Sequence, residues 1–196
     1  MTLRRFGPAD FRRMPWKNGG GETLQLAIWP PEADLEDFDW RITSASVSSD
    51  GPFSTFVGID RSLAVLAGGD LLLNITDPAG RLPQRVLLHP GEQLDQFAGE
   101  VPIVSQRRQG RLLTDFNVMT RRDRYRHQLQ KLQLDGSLSL SETSWMVYLT
   151  DGCLCAGAPP QTIGQGELLW GQGPAILQGR AEGWLVHLIA LSAGHP

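Results

Sequence analysis

Short apolar runs, each a few residues long, are separated along this chain by glycine, proline or aspartate. Residues 23–28 (Thr-Leu-Gln-Leu-Ala-Ile) and 38–43 (Phe-Asp-Trp-Arg-Ile-Thr) alternate with period two, the signature of a strand with one covered face. Similar runs follow at 62–66, 70–75, 85–88, 112–118, 125–134, 137–140, 145–149, 167–170, 175–178 and 184–191. Strands at this spacing, with turn residues between them, predict a sandwich or barrel. Helical periodicity is scarce. Residues 8–13 predict a turn or two of helix, and 121–131 reads either way. Long helices between strands are missing, which argues against an alternating α/β fold.

The pattern also repeats. Leu63–Leu71 can be laid on Met146–Leu154, with Gly69 on Gly152. Gly91-Glu92 then falls on Gly166-Glu167, and Gly110 on Gly183. The expectation is an all-β protein made of a duplicated antiparallel β-barrel, one copy at 1–122 and the other at 123–196. Both copies place a turn before a Gly-Glu strand, and that feature resembles the RmlC-like cupin barrel, so the pair resembles a bicupin.

Bulk properties narrow the function. The chain has 196 residues, 41% hydrophobic and 20% charged, with a net charge of −3. No overall basic footprint for nucleic acid is present. No run approaches a membrane span, and the N-terminus lacks an apolar signal core, so a cytoplasmic protein is expected. The four histidines are scattered with no His-x-His, and Cys153 and Cys155 lack further ligands at zinc spacing. Neither a metal nor another cofactor is therefore expected. No nucleophile elbow occurs either. The basic run at 121–127 reads as a solvated linker rather than a nucleic-acid contact.

Four stretches carry candidate chemistry. The first is Met14-Pro15-Trp16-Lys17-Asn18-Gly19-Gly20-Gly21-Glu22-Thr23, where three successive glycines require positive φ or close approach. It reads either as a tight turn or as an anion-facing loop carrying Lys17 and Asn18. In the second, strand alternation puts Arg41 opposite Trp40 and on the face of Thr43 and Ala45. An inward arginine there needs a carboxylate or a ligand. The third, residues 50–61, contributes Phe56 and an adjacent Asp60-Arg61 pair in which Asp60 could hold Arg61. The fourth places Asp115, Asn117 and Met119 on one strand face.

Together these stretches resemble the HutD/Ves family of bacterial proteins. The family pattern appears as Pro15–Thr23, Trp40–Thr43, Gly51–Arg61 and Asp115–Met119, in that order. The resemblance implies a bicupin fold and, for the HutD branch, a link to histidine utilization through binding of urocanate or formylated glutamate. The expected function is regulatory binding of a small carboxylic acid without catalysis. In that scheme Lys17 and Arg41 pair with ligand carboxylates, Asn18, Asp115 and Asn117 supply hydrogen bonds, and Trp40, Phe56 and Met119 form apolar walls. The open alternatives are a metal-free cupin enzyme and a protein–protein regulator. The expected partners are a small anion and, in a homodimer, a second copy of the chain, with neither nucleic acid nor membrane.

Overall fold

A computed structural model describes residues 2–16, 19–76, 84–141 and 143–191. The described residues form strands joined by turns and loops, with a 3-10 turn at Arg108–Gly110, and every strand pair is antiparallel. None of their helices is long and apolar enough to cross a membrane.

The chain divides into two compact units: Met1–Phe11 with Tyr125–Pro196, and Arg12–Arg124. This differs from a division at 122/123 chiefly at the N-terminus. Strand β1 (Thr2–Phe6) pairs along its whole length with a strand near the other end of the chain, Leu168–Gln172, from Thr2↔Gln172 to Phe6↔Leu168. The reason is local. Leu3 packs against that unit's core, Phe6 is buried, and Arg5 forms an ion pair with Glu167.

The Arg12–Arg124 unit holds β2 (Arg12–Pro15), β3 (Gly21–Trp29), β4 (Trp40–Val47), β5 (Gly51–Pro52), β6 (Ile59–Gly68), β7 (Leu71–Ile75), β8 (Gln84–Leu88), β9 (Gln93–Ala98), β10 (Ile103–Arg107) and β11 (Leu113–Arg121). They form one sheet ordered β2-β3-β4-β11-β6-β9 and another ordered β5-β10-β7-β8. Val47, Leu63, Val65, Leu71, Leu73, Leu88, Ile103 and Leu113 make its buried core. Each such side chain contributes roughly 1.5–3 kcal/mol on burial.

The other unit adds β12 (Tyr125–Leu140), β13 (Ser144–Ala156), β14 (Gln161–Gly164), β15 (Leu168–Gln172) and β16 (Ala175–Ala190). Its sheet runs β1-β15-β13-β16-β12, with β14 on β13. The expected strand pairs 125–134/137–140 and 175–178/184–191 are each one 16-residue strand. Gly136 and Gly179 had read as breaks, but they face each other in register at positive φ and let both strands bend without ending. The residues that read as a turn or two of helix at 8–13 form a turn and then β2, and those at 121–131 lead into β12.

Two local structures recur. Val65 N–H donates to Glu92 O and Gly91 N–H to Val65 O, while Leu149 N–H donates to Glu167 O and Gly166 N–H to Leu149 O. In each turn the glutamate side chain also caps a backbone N–H three residues back, at His89 and at Gly164. A bulge at Leu66, opposite Thr114 and Asp115 and two residues before Gly68, recurs at Thr150, two residues before Gly152. Both glycines have positive φ. A Cβ on Gly68 would lie 2.3 Å from Leu112 O, and one on Gly152 would lie 2.2 Å from Arg180 O. The structural counterpart of Gly152 is therefore Gly68 rather than Gly69. Register then makes Asp115, not Gly110, the counterpart of Gly183.

Candidate ligand-binding cavity

Strand β11 lies between β4 and β6, and its register brings three rows of side chains together. Arg41, Met119 and Arg61 form one row; Thr43, Asn117 and Leu63 the next; Ala45, Asp115 and Val65 the third. Neighbouring strands are about 4.8 Å apart, so the two arginine Cα atoms stand roughly 10 Å apart across Met119. Both arginines, with Asp115, Asn117 and Met119, line a cavity of about 630 Å³ within the Arg12–Arg124 unit.

Arg41 is buried. Its Nε donates to Gln25 Oε1 at 2.8 Å, and its Nη2 lies 3.9 Å from Met14 Sδ. Burial, and then the nearby Arg12 charge, lower its pKa to about 10, so it stays cationic at neutral pH. Arg61 is also buried and sits among aromatic rings. Its guanidinium carbon is 5.2 Å from the Phe53 ring centroid, 5.3 Å from Phe97 and 5.5 Å from Phe56. Nη1 donates to the Ser54 carbonyl at 3.2 Å, but Nε has no hydrogen-bond partner in the protein. Burial lowers its pKa to about 10; Asp115 opposes that shift and Arg41 adds to it.

Asp115 is buried on the same wall. Its Oδ1 accepts the Ala45 N–H at 2.9 Å. Burial pushes its carboxyl up to about 7, against the pull of that N–H and of Arg61. Two residues on, Asn117 Oδ1 is buried without a protein partner. An orphaned buried polar atom costs on the order of 1–3 kcal/mol. Two of them belong to Arg61 and Asn117, residues of this one cavity's wall. Asp50 also lines it, but accepts from Arg107 N–H and Nε at 2.9 and 3.0 Å. Arg41, Arg61 and Asp115 are the remaining charged or titratable residues of the wall.

The glycine-rich stretch is a hairpin turn between β2 and β3. Trp16 N–H donates to Gly21 O, and Gly20 O accepts from Ser48, Ser49 and the Ser49 hydroxyl. A Cβ on Gly21 would meet Ser46 O at 2.4 Å and the Trp16 ring at 3.0 Å. The hairpin geometry itself requires small residues here. The turn holds Trp16 at the cavity, with its indole N–H on Thr23 Oγ1 at 2.8 Å. Lys17 and Asn18 lie outside the described residues.

Two expected site residues do not face the cavity. Trp40 points to the other side of β4 and stacks on Trp29, with centroids 6.4 Å apart and planes 13° from parallel. Asp60 does not hold Arg61, because the pleat sends neighbouring side chains to opposite faces. Asp60 accepts from Arg122 Nε at 2.7 Å, and Arg122 also binds Glu100, holding that carboxyl down at about 2. Arg124 is likewise bound to Asp39, and Arg121 to the Phe38 and Glu36 carbonyls. Phe56 and Met119 do line the cavity.

Sequence reading passed over Gln25, Ser54 and Phe97. Gln25 was legible only as a strand position. Its role depends on a bulge between Gln25 and Ala27 that no local signal marks. Among the described residues no group of three or more His, Cys, Asp or Glu side chains is gathered for a metal.

The counterpart positions of the other unit carry no charged side chain. By register, Trp145 matches Arg61, Leu185 matches Asn117 and Gly183 matches Asp115. Trp145 and Leu185 belong to a filled apolar core.

A family model described as HutD matches residues 8–186. "Protein Ves" of Cronobacter sakazakii is 38% identical over 124 residues, 62% of this chain and 64% of that protein. The chain spans about three fifths of the length of the curated relatives it matches. HutD from Pseudomonas fluorescens SBW25, solved in a formate condition, superposes with a TM-score of 0.81 at 23% identity, over 97% of this chain and all of that one. A Lactobacillus farciminis oxalate decarboxylase in a formate complex gives 0.69 at 10% identity, over 95% and 88%. Those two likenesses speak to fold, which is cupin-like.

Proposed function

The chain belongs to the HutD/Ves family, and from that premise we propose that its Arg12–Arg124 unit binds a small carboxylic acid as a regulatory ligand, without turning it over. One observation carries this reading: Arg41 and Arg61, both buried and cationic, converge on one cavity, and the Arg61 guanidinium is left with an unsatisfied Nε. A ligand carboxylate accepts from the guanidinium groups, whose charge-assisted bonds are strong and directional. Phe53, Phe56, Trp16 and Met119 supply apolar contact. In this scheme Lys17 pairs with a ligand carboxylate and Asn18 supplies a hydrogen bond.

The finer architecture belongs to the same proposal. The matched turns and bulges support two copies of one cupin-type barrel, the first open to ligand and the second filled. The proposed ligands are histidine-degradation acids such as urocanate or formylated glutamate. The proposed setting is the cytoplasm, with a homodimer as the working assembly.

Thermal-shift titration with urocanate, formylglutamate and formiminoglutamate tests the reading. At concentrations well above the dissociation constant, a binding acid raises the midpoint by mass action. Arg41→Met and Arg61→Met should each weaken binding roughly 10- to 100-fold, the worth of a hydrogen bond to a charged group. Lys17→Met should weaken it too. No stabilisation by any acid would leave the protein–protein regulator standing. Asp115 favours a second reading, a metal-free enzyme, because a buried carboxyl with a pKa of about 7 is suited to acid–base work. Conversion of a bound acid, followed by chromatography, would select it.

A further inference from the structure

Asp115 occupies an unusual position in the cavity wall. Its strand runs between the two that carry the arginines, and its row places it beside Ala45 and Val65. One carboxyl oxygen accepts the Ala45 N–H. The charged groups around the cavity are few. Arg41 faces it from β4 and Arg61 from β6, while Asp50 beside β5 is tied to Arg107. Met14, Trp16 and Thr23 of the hairpin, Leu71 of β7, Ser105 of β10 and Asn117 of β11 line it as neutral groups.

An anion entering this cavity meets Arg61, the cation that favours ionised Asp115. Once the ligand occupies that cation, two carboxylates share one buried site with no proton between them. Such a pair holds a proton, because like charges at close range cannot both persist in a poorly solvated site. We propose that Asp115 contacts the bound anion in its neutral form, donating its own hydrogen bond to a ligand oxygen and taking up one proton from solvent as the anion enters. The inference rests on the anion-binding reading above and adds a residue that determines when, and for which charge state, the cavity accepts a ligand. Burial already holds the carboxyl near neutrality before ligand arrives, so the uptake falls within an accessible pH range.

Calorimetry on the full chain tests this, with formylglutamate and glutarate as probes in buffers of different ionisation enthalpy. At pH 8 binding should take up between about half a proton and one proton, and at pH 5.5 close to none. Affinity should fall up to about tenfold per pH unit above ~7, the limit for one linked proton. Asp115→Asn keeps an oxygen for the Ala45 N–H and cannot titrate. It should bind with no proton uptake and with affinity flat from pH 5.5 to 8.5, exceeding the natural chain at the upper end. Binding by the natural chain at pH 8 without proton uptake overturns the inference and leaves the anion-binding reading intact. A retained pH slope in Asp115→Asn does the same. If neither probe binds at any pH in this range, the anion-binding reading fails and this inference fails with it. Should the variant not fold, the proton count on the natural chain still decides.

Discussion

Single residues distinguish the two units at matching positions. Where the first unit carries Arg61 and Asn117, the second carries Trp145 and Leu185 at matching register. Trp145 is fully buried, and its indole N–H donates to Gly173 O at 3.0 Å. Trp145→Ala should cost about 3–5 kcal/mol, the range for emptying a large aromatic site, measured by urea unfolding. Asp115 makes a different stability prediction. Its folded pKa is near 7 while an unfolded aspartate sits near 4, so between these values the folded state binds more protons. Stability should therefore fall as pH rises from about 4 to 7, by at most ~1.4 kcal/mol per pH unit, then level off. Asp115→Asn should remove that slope. Equal pH dependence in the two proteins, compared by urea midpoints at pH 5 and 7.5, would count against a buried protonated carboxyl.

At the scale of elements, glycines fix how closely strands approach. Gly171 on β15 lies under the Trp145 ring, and a Cβ there would stand 2.1 Å from the indole. Gly171→Ala should destabilise by about 1–3 kcal/mol through overpacking, and the double variant with Trp145→Phe should recover part of that loss. At Gly68 and Gly152 the obstacle is backbone, at positive φ, so no neighbouring side-chain change should rescue an alanine there. The glycine-rich hairpin is similar. Its three glycines could be read equally as a turn or as a ligand loop, and the contacts of Gly20 and Gly21 account for those two by packing. Arginines 121, 122 and 124 read as a basic run in one dimension. In three dimensions each is taken up by a carboxylate or carbonyl of a different segment.

For the whole molecule, the N-terminal eleven residues belong with the C-terminal unit. Removing residues 2–6 strips β15 of its outer partner and exposes part of the Leu3 and Phe6 contacts. An exposed strand edge invites pairing with other chains. The truncated chain should melt at a lower temperature and aggregate faster by light scattering, while acid binding in the Arg12–Arg124 unit survives. Loss of acid binding together with that stability would mean the cavity depends on more than its own unit.

Alternation and turn residues were enough to declare an all-β chain, because period-two burial is a property of neighbours in sequence. The face shared by Asp115, Asn117 and Met119 was legible for the same reason, as was the side of β4 on which Arg41 lies. The HutD/Ves motifs were legible as well, since each occupies a short contiguous stretch. Other features lay beyond any local pattern. That Asp60 is bound by Arg122 could not be read locally, because the partner arrives from 62 residues away. The stacking of Trp40 on Trp29 depends on the pairing of β3 with β4. The meeting of Arg41 and Arg61 depends on β11 pairing with both their strands in one register. Register is set by long-range hydrogen bonding and bulges, so only the tertiary structure could decide that two distant arginines share one cavity.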